Sequence, residues 1–268
     1  MSEEDREIVD VWAHNLEEEL RNMMEVVEEF PYVAVDTEFP GIVVRPVGGS
    51  FKSTSEYHYQ TLKSNVDMLK VIQVGLSFSD ARGNRPKGVS TWQFNFKFSL
   101  ATDVFAHESI DILTKSGIDF DELEKKGIDS REFSEAFTVA GVALNDSICW
   151  ISFHGGYDFA YLLRVLANQD LPEEESEFFS LLGIFFPRMY DIKQMMLCCD
   201  PLHGSLQNVA NILEISRVGK QHCAGSDALL TLKVFFAMRK KYFANKIDDE
   251  RFNRILYGLG DYTGRKLK

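Results

Sequence analysis

Cysteine is scarce in this chain. Four of its 268 residues are cysteines (Cys149, Cys198, Cys199 and Cys223), and no two form a C-x-x-C pair. This excludes a cysteine zinc cluster and fits buried thiols in a reducing compartment. No apolar run approaches the ~20 residues that a membrane-spanning helix needs. The acidic, polar N-terminus lacks the pattern of a secretory signal. Repeats, low-complexity linkers and charge-defined boundaries are also missing. Basic residues are outnumbered: 29 Lys and Arg against 41 Asp and Glu leave a net charge of −12. A chain of that sign repels polyphosphate at long range and lacks the basic footprint of a duplex reader. Any nucleic acid must therefore be held locally, through metal ions and a few basic groups.

What is present suits one large domain or two small ones. Hydrophobic residues make up 45% of the chain, with 21 Phe among them, enough for a substantial core. Ile8, Trp12, Leu16, Leu20, Met23 and Val27 recur at helical spacing, which predicts an amphipathic helix from about Asp5 to Glu29. Three strands follow: one ending at Asp36-Thr37-Glu38, one over 71–78, and one over 91–98, the last two forming a hairpin with a long turn. A loop over 41–55 has Gly48-Gly49-Ser50 as its flexible centre, and 56–69 reads as a helix. The middle, 109–144, reads as helix broken at Gly117 and Gly127, with Ser130 as an N-cap. Ser147–Phe153 and Arg188–Asp191 read as strands. Helices are expected after His154-Gly155-Gly156, from Leu171-Pro172, over 205–213 and over 226–241. Strands first, then helices alternating with strands, predict an α/β domain with a mixed central sheet and helices on both faces.

The chemistry is concentrated in a few acids. Tyr32-Val33-Ala34-Val35 runs straight into Asp36 and Glu38, which are two residues apart and so share one side of a strand. Two neighbouring carboxylates resist ionising together unless a cation lies between them. A strand tip in solvent is the simpler reading of this stretch alone. Asp158 and Asp227 each stand in the first turn of a predicted helix, the second with Ser226 or a neighbour capping. There the helix dipole favours a charged carboxylate by ~0.3–1 kcal/mol. Singly, each reads more readily as an ordinary N-cap or first-turn acid. Together the four supply hard oxygen ligands for Mg²⁺ or Mn²⁺. His222 lies in the loop five residues before Asp227. Beside a metal cluster it is a candidate general base.

Three segments carry a family resemblance: Val35-Asp36-Thr37-Glu38-Phe39-Pro40-Gly41, His154-Gly155-Gly156-Tyr157-Asp158-Phe159, and Gln221-His222-Cys223-Ala224-Gly225-Ser226-Asp227. They resemble the three exonuclease motifs of the DEDD nuclease superfamily, in its histidine variant. The wording is closer still to the CAF/POP-type poly(A) deadenylases, catalytic subunits of the CCR–NOT complex. Phe185-Phe186-Pro187, Tyr190-Asp191-Ile192-Lys193, Ile247-Asp248-Asp249 and Leu256-Tyr257-Gly258-Leu259-Gly260 are similar to that family too, so the likeness runs from about residue 5 to 260. It implies a ribonuclease-H-like sheet, a single exonuclease domain over residues 1–268, and two divalent cations, Mg²⁺ or Mn²⁺. By the same resemblance, Asp36 bridges the ions, Glu38 and Asp227 hold one, Asp158 holds the other, and His222 handles the attacking water. The implied reaction is 3′→5′ removal of AMP from mRNA poly(A) tails. The implied partners are poly(A) RNA, the NOT scaffold subunit, a leucine-rich-repeat nuclease subunit and Tob/BTG-type proteins. The implied location is the cytoplasm, with the nucleus second. Two departures stand out. Gly155-Gly156 replaces the family's frequent Ser-Gly, and His203-Gly204-Ser205 replaces Lys-Gly-Gly, which bears on any partner contact needing that lysine. A non-catalytic adaptor on the same fold, or an exonuclease acting on DNA, are the competing readings at this stage.

Overall fold

The apolar strands assemble into one sheet. The computed structural model describes residues 7–48 and 51–260. Its strands are β1 (Ile8–Val11), β2 (Tyr32–Glu38), β3 (Gln73–Ser79), β4 (Thr91–Asn95), β5 (Cys149–Ser152) and β6 (Arg188–Asp191). They lie in the order β1-β4-β3-β2-β5-β6. The β2–β3 and β3–β4 pairs are antiparallel; β1–β4, β2–β5 and β5–β6 are parallel. The helices are α1 (Leu16–Val27), α2 (Thr54–Met68), α3 (His107–Ser116), α4 (Phe120–Lys126), α5 (Ser130–Val139), α6 (Gly156–Ala167), α7 (Glu175–Phe185), α8 (Ile192–Met195), α9 (Leu206–Ile212), α10 (Ala224–Tyr242) and α11 (Asp249–Phe252).

Alternation along β2 sets the two layers. Val33 and Val35 join the core built with α1, α2, α5, α6 and α7. Ala34 joins the other core, with α8, α9 and α10. Helices therefore cover both faces of a mixed sheet, as the sequence predicts. Trp150 on β5 is fully buried and meets Phe186 edge-on at 5.0 Å. Truncating such a side chain to alanine costs about 3–5 kcal/mol.

Several expectations need correction. Asp5, the predicted start of the N-terminal helix, lies outside the described residues. Ile8–Val11 is instead a strand on β4, a fourth strand before the helical middle. Its β-branched residues favour extended backbone. Asn15 then turns the chain, accepting from the Trp12 N–H at 2.7 Å, and the helix starts only at Leu16. Ser130 is the first helical residue of α5, not its cap; the Asp129 carboxylate caps it by accepting from the Arg131 N–H. Pro172 lies ahead of α7, which begins at Glu175. The Pro172 carbonyl instead accepts from the Tyr59 hydroxyl at 2.6 Å. Gly49 and Ser50 of the predicted flexible loop lie outside the described residues.

Candidate active site

The C-terminal end of β2 carries Asp36 and Glu38; β5 lies parallel beside it, and the connection leaving β2 runs to β3 on one side while the connection leaving β5 runs to β6 on the other. Such a switch point at the carboxyl ends of strands is where open α/β sheets place ligands. Asp36 and Glu38 point to the α10 face, the same side as Ala34. Helices from opposite faces bring the other acids to this edge: α6 brings Asp158 and α10 brings Asp227, each in its first turn.

The sheet itself fixes α10. Gly75 pairs with Asp36 across β2–β3. A Cβ on Gly75 would stand 2.0 Å from the Ala224 carbonyl oxygen, so only glycine lets the helix start press on the strand. No side chain at the cap position, Cys223, bonds the helix start. Two strand glutamines do so instead. Gln73 Oε1 accepts from the Ala224 N–H at 3.2 Å, and Gln93 Oε1 accepts from the Gly225 N–H at 2.9 Å. Gln93 in turn donates to Asp10 at 2.7 Å, and Gln73 donates to Asn95 at 2.7 Å. This buried amide network satisfies helix N–H groups that would otherwise be orphaned.

Each acid is also oriented. Asp158 Oδ1 accepts from the Thr37 backbone N–H at 2.8 Å and from its hydroxyl at 2.6 Å. Asp227 Oδ2 accepts from the His222 N–H at 2.8 Å, and its Oδ1 takes a charged hydrogen bond from Arg217 at 2.5 Å. Arg217 is held by Gln207 at 2.8 Å and donates to the Ser226 hydroxyl at 3.0 Å. Asp191, buried at the end of β6, accepts from His154, Gly155, Lys193 and Tyr257 N–H groups and so pins the turn that leads into Asp158.

The electrostatics describe a site short of positive charge. Burial, then the charges of Asp158, Asp227 and Glu38, push the Asp36 carboxyl well above its ordinary range. Glu38 is pushed up by burial and by Asp227 and Asp158. Asp158 rises to about 7, chiefly through burial, against the pull of Thr37's hydrogen bonds. Arg217 pulls the Asp36 and Glu38 carboxyls back down. One guanidinium does not balance four carboxylates, so the cluster fits added cations. Glu38, His222 and Asp227 offer donor atoms all within 4.8 Å of one another. The fold thus brings all five expected residues to one place. His222 stands exposed at the mouth, with a left-handed φ of 60°. Cys223 beside it holds no ligand role: its thiol is pushed up to about 11 by burial and the nearby acids, and it points at the Ser116 carbonyl.

Sequence reasoning missed Arg217, Thr37, Asp191 and the two glutamines as parts of this site. Arg217 sits in a loop with no pattern to mark it. Gln73 and Gln93 did leave a signal: polar amides inside otherwise apolar, buried strands.

The mixed sheet is ribonuclease-H-like and carries the acid cluster at the end of its central strand. The sequence profile of the CAF1 family ribonuclease matches residues 11–136. The poly(A) ribonuclease pop2 of Schizosaccharomyces pombe is 50% identical over 260 residues, 97% of this chain and 77% of that one. This chain belongs to the CAF1 family of ribonucleases. The S. pombe Pop2p structure in its Mg²⁺- and Mn²⁺-bound form superposes with a TM-score of 0.91 at 49% identity, over 94% of this chain and all of that one. Yeast CAF1, co-crystallised with the NOT1 MIF4G domain, superposes at 0.78 with 32% identity, over 93% and 96% of the two chains.

Proposed function

We propose that this chain is a metal-dependent 3′→5′ exoribonuclease that shortens mRNA poly(A) tails and releases AMP. The observation that carries the reading is the convergence of Asp36, Glu38, Asp158 and Asp227 with His222, in a chain half identical to a named poly(A) ribonuclease. Asp36, at the centre of the cluster, would bridge two divalent cations. Glu38 and Asp227 would hold one of them, and Asp158 the other. Mg²⁺ and Mn²⁺ match the oxygen donor set and are the ions bound to the S. pombe relative. When bound, such a pair stabilises the attacking and leaving oxygens of an in-line phosphodiester displacement.

The chain's own residues do the rest. Thr37 locks Asp158 through two hydrogen bonds. Arg217 and the His222 N–H fix both oxygens of Asp227. The His222 imidazole, exposed beside Glu38 and Asp227, takes a proton from the attacking water through a ring nitrogen. We further propose that residues 1–268 act as one exonuclease domain within a CCR–NOT-type assembly in the cytoplasm, and also in the nucleus. Its partners there are the NOT scaffold, a leucine-rich-repeat nuclease subunit and Tob/BTG-type proteins. The yeast relative's crystal with a NOT1 domain supports the first.

The test is incubation of purified chain with 5′-labelled RNA ending in adenosines. Stepwise AMP release is expected with Mg²⁺ or Mn²⁺, none with EDTA, and none from a 3′-blocked RNA. A matched oligo(dA) cut as fast as oligo(rA) would favour a DNA exonuclease, since only RNA offers a 2′-OH to read. No cleavage of any substrate would leave the adaptor reading.

A further inference from the structure

A cavity of about 350 Å³ is lined in part by Gly156 and Tyr157, the two residues that precede Asp158. Its walls include Arg45, Tyr57, His58, His154, Tyr157 and Tyr257. It shares a wall with the active site. Tyr157 directly precedes Asp158, and its ring stacks on Phe39, the residue after Glu38, at 5.0 Å and 19°. His154 and Tyr257 meet edge-on at 5.1 Å. Aromatic and imidazole rings are the platforms on which unpaired bases stack, at ~1–3 kcal/mol per base. A chain of net charge −12 needs such a non-ionic hold on RNA.

One wall group has its neutral tautomer set by a neighbour. His58 Nδ1 lies 3.0 Å from the Gly258 carbonyl oxygen. A carbonyl only accepts, so Nδ1 must carry the proton. In the neutral ring, Nε2 is then an acceptor. An acceptor on this wall welcomes the exocyclic amine of adenine or cytosine and opposes the carbonyl oxygen of hypoxanthine or uracil, bases that carry no exocyclic amine. Stacking strength among aromatic walls favours the larger purine.

We propose that this cavity seats a base of the substrate strand next to the cut site, and that His58 is the residue that selects adenine there. The proposal rests on the nuclease reading above and adds the means of base choice to it. Tyr157 and Tyr257 supply affinity for any base; His58 supplies the preference.

The experiment compares steady-state hydrolysis of oligo(A), oligo(I) and oligo(C) by the full chain with Mn²⁺, and repeats it for His58→Leu, His58→Gln and Tyr257→Leu. Wild type should favour oligo(A) over oligo(I) by about three- to ten-fold in kcat/KM, the size of one hydrogen bond. His58→Leu should bring that ratio close to one, mainly by raising KM for oligo(A). His58→Gln keeps an acceptor and should restore part of it. Tyr257→Leu should raise KM for all three substrates alike. Equal wild-type rates on oligo(A) and oligo(I), or a full preference in His58→Leu, would overturn the proposal while leaving the nuclease reading intact. If no RNA is cut, quenching of tyrosine fluorescence by adenosine in EDTA decides. Saturable quenching that weakens in His58→Leu upholds the cavity's role, and its absence ends it.

Discussion

Asp158→Asn should make the metal-free protein more stable, although it removes a proposed metal ligand. Asp158 is buried with its carboxyl raised to about 7 from an ordinary 3.8. A folded-state value above the unfolded one means that ionisation penalises the fold. The penalty is absent below about pH 4 and fully developed above about pH 7, so stability falls as pH rises through that window. At 1.36 kcal/mol per pH unit, the cost above pH 7 is about 4 kcal/mol. Asparagine keeps an oxygen that can accept both Thr37 hydrogen bonds, so the geometry survives while the charge goes. In EDTA at pH 8 the variant should therefore gain up to about 4 kcal/mol. Even half of that raises Tm by about 4–8 °C for a chain of this size. At pH 5 the gain should shrink to about a third, because much of the wild-type penalty is gone. Saturating Mn²⁺ should narrow or reverse the order, since metal at a hundredfold excess over Kd stabilises the intact site by ~2.7 kcal/mol. Differential scanning fluorimetry across pH, with and without metal, reads all of this. A variant no more stable than wild type in EDTA at pH 8, or one whose gain ignores pH, would refute the picture of a charge-frustrated cluster.

Two further outcomes follow from the same geometry. Gly75→Ala should cost about 1–3 kcal/mol by overpacking, and it should weaken metal binding by pushing the Ala224 end of α10, and with it Asp227, off the sheet; chemical denaturation and Mn²⁺ titration of the variant check both. RNA binding by the isolated chain in EDTA should be weak, because the net charge is −12; tight retention at physiological salt in a filter-binding assay would contradict it.

The candidate site was legible because its chemistry sits in short segments: Asp36 and Glu38 at a strand end, Asp158 and Asp227 at helix starts, His222 five residues upstream of the last. The sheet was legible where apolar runs are bounded by turns. It was not legible at Ile8–Val11, where Ile8 and Trp12 happen to match the helical period of the true helix behind them, and only pairing with β4 decides for strand. The supporting residues were hidden for a related reason. Arg217 reaches Asp227, Gln93 reaches Gly225 and Thr37 reaches Asp158 only once the chain is folded, and no local spacing encodes contacts across ten to more than a hundred residues. Family likeness carried the roles of the acids; the physics of the cluster carried why they need cations.

The division of labour between ligands and base is tested most directly by Mn²⁺ titration calorimetry run beside single-turnover hydrolysis of oligo(A), on wild type, Asp36→Ala and His222→Ala. Asp36→Ala should lose metal affinity and activity together. His222→Ala should keep metal affinity close to wild type and lose ~10²–10⁴-fold in rate, the range for a missing general base, with part of the rate returning at higher pH. The His222 ring stands within ligand reach of Glu38 and Asp227, so the outcome is not foregone. If His222→Ala loses metal affinity as severely as Asp36→Ala, the histidine is a ligand and its assignment as the base is wrong.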